Sequence, residues 1–332
     1  AMQRFNNILC VVNTDLQNNV AMEHAAKLAE KNQVGLTVVE VVDEIVPNTT
    51  LFERTMSPVD LQAEMISEHQ NRLQELISPW SKNIEIKTKV LTGIVFLKVI
   101  HEVLRSGHDL VFKTADSGVL LNRVFGSDDM HLLRKCPCPV WLVKPESPKN
   151  YQTILAAVDV NVDYPSEELH ARHLLNHQIL EMASSLALSE FAELHIVHAW
   201  QAIGEGMMRG AFMARPEEEV ASYVEEVQQQ HDENMKVLMS EIIEKLGQDT
   251  LDYIKPKKHL IKGDPRKIVP TLTEDIKADL VVMGTVARTG LSGFFMGNTA
   301  ETILNQLNCS VLAIKPPGFV TPVTLGDQVS NN

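Results

Sequence analysis

Short apolar runs alternate with longer amphipathic stretches along the whole chain. In the second half, 154–159 reads as a strand, 166–187 as a helix and 193–199 as a strand. After a long loop come a helix over 217–246, a strand over 257–262 and a helix over 265–276, then a strand over 279–284, a helix over 298–307 and a strand over 310–315. Runs such as Asp279-Leu280-Val281-Val282-Met283 lack the alternation of a half-exposed sheet, which marks strands buried on both faces. The βαβαβαβαβ order predicts a parallel sheet with helices on both sides, doubly wound through right-handed crossovers. Sheets of this kind bind ligands beyond the carboxyl ends of their strands. The stretches 58–77 and 217–246, rich in Glu and Gln, read as solvated amphipathic helices.

The unit is written twice. Ile8-Leu9-Cys10-Val11-Val12-Asn13 matches Ile154-Leu155-Ala156-Ala157-Val158-Asp159, Asp109-Leu110-Val111-Phe112 matches Asp279-Leu280-Val281-Val282, and Val140-Trp141-Leu142-Val143-Lys144-Pro145 matches Val311-Leu312-Ala313-Ile314-Lys315-Pro316. Three blocks in one order predict tandem α/β domains over 1–146 and 151–317, with 318–332 as a C-terminal tail. The polar, Pro-containing stretch Glu146-Ser147-Pro148-Lys149-Asn150 is the linker.

Charge narrows the function. Thirty Lys and Arg against 43 Asp and Glu leave −13, which argues against a protein that grips a phosphate backbone, so no direct nucleic-acid binding is expected. No apolar run reaches the roughly 18 residues of a membrane span. The start, Ala1 to Asn7, carries no basic segment or cleavage signal, so a cytoplasmic protein is expected. Cys10, Cys136, Cys138 and Cys309 are too scattered for a disulfide framework and read as small core residues.

The segment from Gly284 to Glu301 carries the clearest chemistry. It leaves a strand, passes four glycines and enters a helix, where glycines permit positive φ or close backbone approach and free N–H groups favour an anion. There is no G-x-x-x-x-G-K-[ST] loop, and no G-x-G-x-x-G follows the first strand, so neither a P-loop NTPase nor a standard dinucleotide fold is supported. The segment resembles the G-x-x-G-x9-G-[ST] nucleotide loop of the universal stress protein family. Gly284 takes the first glycine and Gly297 the last. Ala287 replaces the second glycine, where a Cβ at positive φ costs about 1 kcal/mol, and Asn298 replaces Ser or Thr, with Thr299 beside it as a hydroxyl donor.

The resemblance implies more than the loop. Asp159 matches the acidic residue near the nucleotide and Ala199 the position whose backbone faces the adenine, while Met283 and Arg288 flank the loop glycines. ATP or another adenine nucleotide with magnesium is the implied ligand, with slow hydrolysis at most, since no catalytic constellation can be assembled. His198 reads as a strand-end core histidine, and Asp159 can equally cap its own loop. The first copy has Asn13 for the aspartate and Lys113-Thr114 for Met283-Gly284, and keeps only Phe125-Gly126-Ser127 of the loop, so it is not expected to hold ATP in the family's manner.

The resemblance further implies domains paired through their last strands. The apolar edges 140–143 and 311–314 would then satisfy each other as an intramolecular pseudo-twofold pair, with a homodimer of whole chains also compatible. Together with His131-Leu132-Leu133-Arg134-Lys135-Cys136-Pro137, the loop points to tandem bacterial members that support survival under stress, including DNA damage. The rival readings are an interaction scaffold that has lost its nucleotide and a binder of another small or lipophilic ligand, for which the flexible, Met-rich 204–213 segment would form a lid or pocket wall.

His170, His173 and His177 fall within one arc of about 60° on the 166–187 helix, opposite its apolar face. They form either a solvated histidine face or a zinc site. Because the three span nearly two turns, one ion would need a further ligand.

Overall fold

The computed structural model describes residues 5–46, 56–116, 125–285 and 296–326. The first domain runs β1 (Ile8–Val11), α1 (Val20–Asn32), β2 (Leu36–Val42), α2 (Pro58–Ile77), β3 (Ile86–Thr92), α3 (Val95–Ser106), β4 (Leu110–Thr114), α4 (Ser127–Lys135) and β5 (Val140–Val143). The second runs β6 (Thr153–Ala157), α5 (Ser166–Glu190), β7 (Glu193–Trp200), α6 (Glu205–Arg209), α7 (Glu217–Leu246), α8 (Gln248–Ile254), β8 (Lys257–Lys262), α9 (Pro265–Asp275), β9 (Leu280–Gly284), α10 (Asn298–Leu304) and β10 (Ser310–Ile314).

Local chemistry sets several boundaries. Ser57 accepts from the Asp60 N–H at 3.2 Å and Pro58 fills the first helical position, so α2 starts there. The strand expected over 154–159 ends at Ala157: Val158 N makes the last bond, to Val197 O, and Asp159 N turns away to Asn176 Oδ1. The helix expected over 298–307 ends at Leu304, where the bond from Gln306 N to Ile303 O tightens the final turn. Gly247, at φ 90°, separates α7 from the short α8, and the expected loop after β7 holds the single-turn α6.

Among the described residues, ten strands form one sheet in the order β3-β2-β1-β4-β5-β10-β9-β6-β7-β8. Every pairing is parallel except β5 with β10, which run antiparallel with Leu142 opposite Val311 and Val140 opposite Ala313. The order of equivalent strands is therefore the same from either edge, a pseudo-twofold arrangement in which the two last strands close the seam. Around it, Trp141 Nε1 donates to Tyr151 Oη at 3.0 Å, Lys144 N donates to Ser310 Oγ at 2.9 Å, and Arg134 of α4 pairs with Glu301 of α10.

Successive strand residues feed opposite layers. Ile8 and Cys10 belong to the layer that holds the buried residues of α1, α2, α5 and α7, whereas Leu9 and Val11 belong to the layer that holds those of α3, α4, α9 and α10. All four cysteines are buried as free thiols. The segment after β10 folds back on the first domain, where Thr324 O lies 2.9 Å from His101 Nε2 and Val323 is buried. Among the described residues, no helix is long and apolar enough to cross a membrane.

Candidate nucleotide cleft

β6 lies between β7 and β9, so the chain leaves its neighbours toward opposite sides, and a crevice opens beyond their carboxyl ends. The crevice has a volume of about 360 Å³. Asp159, Ala199, Met283, Gly284, Gly297, Asn298 and Thr299 all line it. Ala287 and Arg288 lie outside the described residues.

The pleat explains the position of Ala199. Val197 O accepts from Val158 N on the β6 side and Trp200 O accepts from Gly263 N on the β8 side. Because backbone groups alternate along a strand, the N–H and C=O of Ala199 turn toward β6 one step after that strand has ended. A donor and an acceptor thus meet the cleft instead of a neighbouring strand.

Asp159 organises the loop that forms one rim. Its Oδ1 accepts from Asn161 N at 3.0 Å, and its Oδ2 accepts from Tyr164 Oη at 2.6 Å and Arg172 Nη1 at 3.0 Å. Asn176 Nδ2 returns to Asp159 O at 2.7 Å, and the Arg172 guanidinium lies 3.9 Å above the Tyr164 ring. Burial first, and the Asp159 charge second, raise the Tyr164 pKa. Arg172, Tyr164 and Asn176 are neighbours of Asp159 that the sequence did not single out. Arg172 and Asn176 share an i,i+4 face of α5, but that spacing does not show that the face meets the loop after β6.

His198 is buried, with Nε2 2.9 Å from His231 Nδ1 and Nδ1 3.4 Å from Val160 N. Burial pushes it down to about 4, so it is neutral at physiological pH. Beside this pair, Trp200 lines the cleft with its buried Nε1 unpartnered.

Of the four loop glycines, Gly284 and Gly297 are among the described residues, and neither has a positive φ. Gly297 has φ −67° and ψ 145°, open to any residue. Gly284 is not in the left-handed region either, but a Cβ there would stand 2.5 Å from Leu175 Cδ2, so its hydrogen lets α5 close on β9.

The equivalent crevice of the first domain has the same volume, about 360 Å³, and different chemistry. Register places Glu40 where the second domain has His198. Buried Glu40 bonds Thr14 and His69 as His198 meets Val160 and His231. Lys113 enters where Met283 stands and bonds Asp129 at 2.7 Å and Asp116 at 2.9 Å. Burial alone would lower the Lys113 pKa, but these two carboxylates outweigh it and the net shift is upward. The lysine is therefore already neutralised, and while Asp15 is paired with Arg72, Asp43 and Asp128 add negative charge to the crevice.

The histidines of α5 depart from the expected solvent face. His170 is exposed, His173 is half-buried and His177 is buried. The reason is packing: α5 is covered by the sheet on one side and by α7 on another, and His177 Nε2 meets Glu241 of α7 at 2.6 Å.

Known proteins share this architecture across the chain. The universal stress protein family pattern matches residues 4–144 and 150–315. Universal stress protein E of Escherichia coli is 31% identical over 336 residues, covering 98% of this chain and 99% of its own. The universal stress protein E homolog of Haemophilus influenzae is 30% identical, covering 94% and 98%. Two solved structures from Pseudomonas aeruginosa align over nearly full length. A functionally unknown protein has TM-score 0.67 at 24% identity, covering 95% of this chain and 94% of its own, and a putative universal stress protein has TM-score 0.65 at 25% identity, covering 95% of each. With a family match in both halves and full-length relatives at this identity, the chain belongs to the universal stress protein family of stress-response proteins, as a member with two tandem domains.

Proposed function

We propose that the second-domain cleft binds an adenine nucleotide, ATP with magnesium first among them, and that the chain serves the cytoplasmic stress response, DNA damage included, by binding with at most slow hydrolysis. The observation that carries this reading is the convergence of Asp159, Ala199, Met283, Gly284, Gly297, Asn298 and Thr299 on one crevice at the switch point of the sheet. The residues suit the group: apolar Val158 and Met283 offer walls to a base, the Ala199 backbone offers a donor and an acceptor, and the Asn298 amide and Thr299 hydroxyl offer polar partners to phosphate oxygens. The first-domain crevice is unsuited to phosphates because acidic groups line it and its one buried lysine is paired.

Native mass spectrometry of the purified chain and calorimetric titration with ATP and magnesium test the reading. One nucleotide per chain is expected. Gly297→Val fits the observed φ, so it should fold and yet lose binding at least about 10-fold by filling the approach. Two nucleotides per chain, or unchanged affinity in that variant, would place the site elsewhere.

A second reading rests on the cleft mouth. Ile203, which lines it, begins an exposed apolar stretch that includes Met207, Phe212 and Met213. Such a rim suits a lipophilic ligand, and a retained lipid in the same mass spectrum would favour it.

A further inference from the structure

His173 and His177 stand one turn apart on α5 and point their Nε2 atoms at a single oxygen of α7, Glu241 Oε2, at 2.9 and 2.6 Å. We propose that these three residues form a binding site for one divalent transition-metal ion, zinc above others, which clamps α5 to α7. The ligand that the histidines lacked along their own helix comes from Glu241, and exposed His170 has no part in it.

The geometry fits the chemistry. One ligand atom from each residue lies within 4.8 Å of the others. Tetrahedral zinc, with bonds of about 2.0–2.1 Å, spaces its donors by roughly 3.3 Å, so an ion enters by opening the two contacts to Glu241 by roughly 0.5 Å and drawing together the two imidazole nitrogens, which lie within 4.8 Å of each other. Two imidazole nitrogens and one carboxylate oxygen are donors that zinc accepts, and three protein ligands leave a fourth position open. A small cavity of about 150 Å³, lined by His173, offers room beside the cluster for a fourth ligand.

Charge and access point the same way. Among the described residues, the ion-pair partners recorded for Glu241 are these two histidines, with no lysine or arginine to take up its charge. The His173 side chain is 44% exposed while that of His177 is 9% exposed, so an ion can enter from solvent and end against a buried ligand. His177 Nδ1 has no hydrogen-bond partner to hold its ring, a feature that weakens zinc binding relative to fully supported sites and sets a modest affinity. None of the three residues lines the nucleotide cleft, so the site stands independently of the nucleotide reading.

The full chain, stripped of metal with a chelator, should take up one zinc ion in calorimetric titration. Cobalt should give the intense visible absorption of a tetrahedral site. His173→Gln and Glu241→Gln should each weaken zinc binding at least about 10-fold and abolish the cobalt bands, with unchanged circular dichroism, while His170→Gln should bind as the parent does. No uptake by the parent chain, or parent-like uptake by either ligand variant, would overturn the site and leave a hydrogen-bonded cluster that ties the two helices.

Discussion

At the scale of single residues, Gly284 shows how a motif position can hold two roles. Its place in the family loop suggests close approach of a phosphate, and the structure adds a packing demand, since a Cβ would press on Leu175 Cδ2 at 2.5 Å and Cγ at 3.2 Å. Gly284→Ala should therefore destabilise the chain by about 1–3 kcal/mol through overpacking. Leu175→Ala alone should cost about 2–5 kcal/mol by leaving a cavity. The double variant should lose clearly less than the sum, because each change relieves the other. Urea denaturation of all four proteins measures the coupling, and simple additivity would mean that the glycine is not held by Leu175. The remaining site residues were legible unevenly. Asp159 could be placed by its match to the family's acidic residue, but its partners Tyr164 and Arg172 could not, because nothing in their spacing reports a contact made through a loop.

At the scale of elements, periodicity carried the reading where a helix has one covered face. α2 spans 58–77 as expected and buries only Leu73 and Ile77, while α7 spans 217–246 and buries a stripe that includes His231, Met235, Leu238 and Ile242. On α5, which is covered twice, it found the helix and the face of Leu175, Ile179, Met182 and Leu186 but not the second covered face that takes His177. The contact of β7 with α7 also has a pH signature. Burial pushes His198 from 6.5 down to about 4 and lowers His231 beside it. Between those values the unfolded chain binds protons that the folded chain refuses. Stability is therefore complete above the window and falls as pH drops through it, by up to about 1.4 kcal/mol per pH unit for His198. His198→Gln retains an acceptor for Val160 N and should flatten the fall in urea midpoint between neutral pH and about pH 5. A variant with the parent's slope would show that other groups carry the acid sensitivity.

At the scale of the whole molecule, the seam between β5 and β10 makes one sheet of two domains. Leu142, Leu312 and Trp141 are nearly inaccessible there, and the layer containing Ile8 and Phe112 continues to Ile154 and Leu312. Edges buried this way are unavailable to other chains. A single cooperative unfolding transition is expected, with tryptophan fluorescence and far-ultraviolet circular dichroism coinciding. Two resolved transitions would show that each domain holds itself together and that the seam adds little.

By itself the sequence determined the alternation of strands and helices, the repetition of the unit, the buried character of the strands and the asymmetry between the two copies in the glycines that follow the fourth strand. These are written in neighbouring residues or in matching blocks, and period and similarity report them directly. Tertiary structure alone decided that β5 and β10 run antiparallel, that Tyr164 and Arg172 converge on Asp159, and that Gly284 makes room for Leu175. It also decided that His177 faces inward to a glutamate 64 residues away. Each of these depends on which surfaces meet once the chain closes on itself, and hydrophobic spacing states that a face will be covered without stating by what.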